Sequence, residues 1–85
     1  MKAQAMGLTE REREWGQKAS RFIKAELKRA GVSYKELAER LNRHGFEETE
    51  TSITGKLARG TFAASFFLAV LVVLELEGVE LADLV

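Results

Sequence analysis

The side chains with the most chemical capacity cluster between Gly45 and Gly60: Glu47, Glu48 and Glu50, then Thr51, Ser52, Thr54 and Lys56, then Arg59. Gathered carboxylates can serve as a general acid and base. At the entrance to a helix they have a simpler task, which is to offset the positive end of its dipole. Hydroxyls and an ammonium on one helical face can exchange hydrogen bonds with base edges, while Lys35 and Arg59 can hold phosphate oxygens. Covalent catalysis lacks its parts: Ser33 and Ser52 have no His–Asp arrangement to activate them, and His44 is the only histidine. The sequence has no Cys, which removes thiol nucleophiles, disulfides and thiolate metal sites and fits a reducing compartment. No Gly-rich phosphate loop is present. The expectation is a binding protein rather than an enzyme, with no catalytic residue, metal or cofactor and no evident small-molecule substrate.

These residues need a scaffold, and 85 residues allow one small domain. An apolar fraction of 46% beside 31% charged residues gives that domain enough material for a core. Thr9 and Glu12 match a capping box, and Trp15, Ala19, Phe22, Ile23, Leu27 and Ala30 follow at helical spacing, so a first helix is expected over 9–30 with Gly31 as its stop. Ser33 and Glu36 form a second capping box, with Val32 and Leu37 as its hydrophobic staple. A short second helix is expected to end near residue 43. A loop carries Phe46 as a plug for the core. A third helix should start at Thr49 or Glu50 and run to Ala58, with Ile53 and Leu57 inward and Thr51, Ser52, Thr54, Gly55 and Lys56 outward. Thr61 is the expected cap of a fourth helix stopped by Gly78, and Glu80–Leu84 gives a last short helix or turn. Residues 1–8 are expected to be a flexible N-terminus before a domain over 9–85.

The net charge is zero, but it is unevenly spread. Residues 1–43 hold 11 basic and 6 acidic side chains, whereas residues 44–85 hold 2 and 7. One basic face could therefore meet phosphate while the rest stays acidic. The longest uncharged stretch, Gly60 to Leu74, is 15 residues. A membrane span needs about 20. With no signal peptide at the start, the cytoplasm is the expected location.

Several motifs resemble known ones. Ser33-Tyr-Lys-Glu-Leu-Ala-Glu-Arg-Leu41 resembles the second helix of lambda-repressor-like helix-turn-helix domains, Arg59-Gly60 their pair after the third helix, and Gly78-Val-Glu-Leu-Ala-Asp-Leu84 their fifth helix. Ala25-Glu-Leu-Lys-Arg-Ala-Gly-Val-Ser-Tyr-Lys-Glu-Leu-Ala38 and Arg59-Gly-Thr-Phe-Ala-Ala-Ser-Phe-Phe67 are similar to a small bacterial family of unknown function. The resemblance implies an all-α, compact five-helix lambda-repressor-like domain. It also implies sequence-specific binding of double-stranded DNA by a small transcriptional regulator. The third helix would lie in the major groove, with Thr51, Ser52, Thr54 and Lys56 near bases and Lys35 and Arg59 near phosphates. The stretch from Gly45 to Gly60 is longer than the usual turn and third helix, and its glutamates would sit close to phosphates. An interaction module that kept the fold and lost DNA binding is therefore the alternative.

The fourth helix raises a further expectation, because Phe62 to Leu74 is apolar almost all the way round. Phe66, Phe67, Val70, Leu71 and Leu74 make an inward stripe and leave Leu68 and Val72 on the opposite side. A homodimer interface of Leu68 and Val72, joined by Leu81, Leu84 and Val85, would cover that surplus and place two third helices about a two-fold axis.

Overall fold

A computed structural model describes residues 9–84. It is all-α, with four helices and one short 3-10 turn: α1 (Glu10–Ala30), α2 (Tyr34–Asn42), α3 (Glu50–Arg59), α4 (Ala64–Val73) and the turn at Leu81–Asp83. The expected fifth helix is thus only that single turn. The expected flexible segment 1–8 lies outside the described residues, as does Val85.

The ends of the helices follow from local chemistry. The Thr9 hydroxyl accepts from Glu12 N at 3.0 Å, and the Glu12 carboxylate accepts from Thr9 N at 2.8 Å, so both halves of the capping box are made. α1 stops at Gly31, whose φ of 70° suits a residue with no Cβ. Val32 N then donates back to Leu27 O, which closes the helix end and tucks Val32 into the core. Ser33 caps α2, but its box is only half made. The Glu36 carboxylate turns to Arg40 at 2.7 Å, and Arg40 also donates to Val73 O of α4. Thr49 caps α3 through Ser52, which takes the reciprocal place usually held by Glu or Gln.

The core is one cluster in which Ile23, Leu37, Leu41, Ile53, Leu57 and Val70 are fully buried and Phe66 nearly so, with Phe46 packed against its edge. Each such side chain contributes about 1.5–3 kcal/mol relative to exposure. α3 lies against both α1 and α2, while α4 packs on α2.

Three sequence expectations need correction. Trp15 was expected in the inward stripe of α1, but it is 50% exposed, with Lys18 Nζ 4.4 Å above its ring. The inward line is instead Gly16, Ser20, Ile23 and Leu27, of which the last three are buried. Two small residues lead it because the end of α3 comes too close for a large side chain. Thr61 does not cap α4. The cap position is Ala63, with no side-chain hydrogen bond, because residues 61–63 are used in turning the chain by 120° from α3 into α4. Phe62 in that turn stacks parallel to Phe67 and meets the Phe66 ring at a tilt of 52°. Finally, α4 ends at Val73, well before Gly78. Glu75 takes the left-handed conformation there (φ 59°), and Leu76 N donates to Leu71 O at 2.9 Å. Among the described residues no single helix is long and apolar enough to cross a membrane.

Candidate nucleic-acid interface

The sequence placed its candidate site on α3, and the helix divides into two faces. Ile53 and Leu57 point into the core, while Glu50, Thr51, Thr54, Ala58 and Arg59 are exposed and Gly55 is half-exposed. The outward surface is therefore small and polar along the whole helix, with an acid at its start and a base at its end.

Ser52 and Lys56 occupy the flank between these faces, one turn apart, and both turn towards Glu48. Ser52 Oγ donates to Glu48 Oε1 at 2.6 Å, and Lys56 Nζ forms an ion pair with Glu48 Oε2. Glu48 is only 6% exposed. Lys56 Nζ also lies 4.8 Å from the centre of the Phe66 ring, so its charge sits between a carboxylate and an aromatic face. A buried carboxylate needs partners of this kind, and here it has both a cation and a hydroxyl. The glutamates entering α3 thus have different roles: Glu48 is an internal anchor, whereas Glu47 and Glu50 remain at the surface.

Asn42 secures the same loop from the other side. Its Nδ2 donates to Glu48 O at 3.0 Å and its Oδ1 accepts from Glu48 N at 2.7 Å. The last residue of α2 is in this way bonded to the backbone just before α3, which fixes the approach of one helix to the other. The sequence reading missed Asn42 and the burial of Glu48. The one available signal was spacing: Glu48 stands four residues before Ser52 and eight before Lys56, on the same flank once the helix begins.

The other candidates are dispersed. Thr51 is exposed, and its hydroxyl has no hydrogen bond among the described residues. Thr54 Oγ1 donates to Glu50 O at 2.9 Å and keeps its lone pairs for an acceptor role. The Arg59 guanidinium folds back over Gly55, with Nη1 3.0 Å from where a Cβ would stand. Lys35 is exposed in the first turn of α2 and makes no ion pair among the described residues. Leu68, Val72 and Leu81 of the expected dimer surface are exposed, and Leu84 is half-buried. Among the described residues no group of three or more His, Cys, Asp or Glu could hold a metal.

The sequence from within α1 to the segment after α4 has a counterpart among known domain families. Residues 15–79 match the family described as a domain of unknown function, DUF6471. The chain belongs to that family. No curated protein and no solved structure matches it. The DUF6471 match takes in α2, α3, α4, the Asn42–Glu48 tie and the Glu48–Lys56 pair, and it stops before the turn at Leu81. The expected kinship with a small family of unknown function thus holds, and kinship with lambda-repressor-like domains has no support from the match.

Proposed function

We propose that this DUF6471 domain binds double-stranded DNA as a small transcriptional regulator built on a helix-turn-helix frame, with α3 in the major groove. The observation that carries the reading is the outward face of α3, where Thr51, Thr54 and Ala58 are small and exposed, between Glu50 at its start and the Arg59 guanidinium folded over Gly55 at its end. Thr51 can offer its hydroxyl to either kind of base edge, Thr54 can only accept because its proton goes to Glu50 O, and both carry a methyl for thymine. Arg59 and Lys35 supply phosphate contacts. Ser52 and Lys56 act in this reading through Glu48, holding α3 at its angle. A homodimer paired through Leu68 and Val72 would read a palindromic site.

Selection of bound duplexes from a random pool tests the proposal. The wild-type chain is expected to enrich a motif, and Thr51→Ala with Thr54→Ala to relax it, each lost contact costing about 1–3 kcal/mol of discrimination. A pool that emerges unenriched overturns it.

A protein-interaction module is the second reading. It is favoured by the internal pairing of Lys56 and by exposed Glu47 and Glu50 at the start of α3. Flow-through on a duplex-DNA column at about 50 mM salt would favour it, since phosphate contacts dominate such binding.

A further inference from the structure

We infer that Arg21, Lys24 and Lys28 on α1 form a track for nucleic-acid phosphates that extends the proposed α3 surface past its C-terminal end. The inference rests on the DNA-binding reading and assigns a site to residues that reading leaves unused.

The track follows from the wheel of α1. Gln17, Arg21, Lys24 and Lys28 stand at i, i+4, i+7 and i+11, which is one stripe of a helix. Its first member touches α3: Gln17 Nε2 donates to Ala58 O at 3.3 Å, beside Arg59. Phe22 marks the opposite flank, where its ring meets Phe67 of α4 at 6.0 Å. The stripe therefore begins at α3, where Arg59 ends the outward face, and continues along the exposed side of α1 between the α3 seam and the hollow that Arg21 shares with Phe22.

The stripe from Arg21 to Lys28 carries three cations and no acid of its own. Arg21, Lys24 and Lys28 are exposed, and none makes an ion pair among the described residues. No acid occurs between Glu14 and Glu26, and Glu26 is held by Arg29 on another side of the helix. Arg21 meets acids at two edges, since it lines one shallow hollow with Glu26 and Asp83 and a second with Glu10 and Glu14, whereas Lys24 and Lys28 line neither. From Arg21 to Lys28 the rise is about 10 Å. A DNA strand presents a phosphate for about every 3.4 Å of axis, so the track spans about three of them. A row of flexible cations gives position and affinity without sequence information, which complements the hydroxyls on α3.

The test is the salt dependence of binding to a duplex of random sequence, read by fluorescence anisotropy. Arg21→Gln/Lys24→Gln/Lys28→Gln is expected to lower the slope of log Kobs against log salt by about 2 to 3. Lys28→Gln alone should lower it by about 0.9, so the inference stays testable if the triple variant folds poorly. Arg43→Gln, an exposed cation at the end of α2, removes the same charge and should leave the slope unchanged. A slope that survives the triple variant, or falls equally with Arg43→Gln, overturns the track while the α3 reading stands. A reduced slope in a protein that enriches no motif supports the track and removes the α3 reading. Wild-type protein that ignores the duplex at low salt overturns both. Salt-sensitive self-association requiring these cations overturns the track alone, since it would instead seat the exposed Glu75, Glu77, Glu80 and Asp83 of a second copy on the stripe.

Discussion

A β-carbon placed on Gly16 of α1 would stand 2.1 Å from the carbonyl oxygen of Gly60, the residue that ends α3. The reverse is also true, since a β-carbon on Gly60 would meet the Gly16 carbonyl carbon at 2.9 Å. The two backbones are in contact, and one turn further along α1 Ser20 is fully buried in the same seam. This contact fixes where the C-terminal end of α3 sits, and with it Ala58 and Arg59.

Gly16→Ala sets two effects against each other. Alanine is the better helix former by about 1 kcal/mol. The collision with backbone atoms cannot be relieved by a side-chain movement, and overpacking of this kind costs about 1–3 kcal/mol. The close approach predicts that the clash wins and the urea midpoint falls, with an unchanged m-value. A raised midpoint would show that α1 and α3 are further apart.

Glu75 offers the opposite opportunity. It holds φ at 59° just past α4, a conformation that costs an L residue about 1–2 kcal/mol, and its side chain is exposed. Glu75→Gly should remove the strain and raise stability by about 1 kcal/mol, less the greater entropy of an unfolded glycine. A thermal midpoint that drops instead would show that the Glu75 side chain has a role at the helix end.

The same two sites explain what the sequence revealed and what it hid. Caps at Thr9, Ser33 and Thr49 and the glycines at 31 and 60 set the limits of α1, α2 and α3 to within a residue or two, because these signals act locally. The end of α4 escaped because Glu75 fills a place that glycine usually marks. The inward stripe of α1 escaped because large apolar residues were weighted over Gly16 and Ser20, and closeness between backbones has no hydrophobic signature. On α3 the outward position of Thr51 and Thr54 was readable from spacing. The turning inward of Ser52 and Lys56 was not, since it depends on a carboxylate in the preceding loop.

That carboxylate leads to the third prediction. Glu48 is buried and Lys56 is partly exposed, so the two ends of the pair are unequal. Removing the lysine, as in Lys56→Met, leaves a buried carboxylate with Ser52 alone and should cost about 3 kcal/mol. Glu48→Gln keeps a hydrogen-bonding group beside Ser52 and frees Lys56 to reach solvent, so it should cost less. Glu48→Leu with Lys56→Met removes both charges and should lie nearer to wild type than Lys56→Met alone. Denaturant titration of the set gives the order, and equal losses for both single variants would contradict the asymmetry.

The last prediction concerns α4, which carries no charged residue from Ala64 to Val73. Its inner side holds Phe66 and Val70, yet Leu68 and Val72 on its outer side are 60% and 61% exposed. They stand four residues apart and so form one apolar strip, which water penalises and a second copy could cover. Val72 also borders a shallow hollow lined by Arg40, Arg43, His44 and Glu75, so the strip ends at polar side chains rather than at more apolar surface. If the strip pairs two chains, sedimentation at increasing concentration should show a dimer that Leu68→Glu abolishes. Helical content should be unchanged, because exposed substitutions usually alter stability by less than about 0.5 kcal/mol. Covering Leu68 would also bring two copies of α3 into a fixed two-fold relation, so the same variant should weaken binding to a palindromic duplex more than to a half-site. A wild-type chain that stays monomeric at high micromolar concentration would break that link and leave each α3 to act alone.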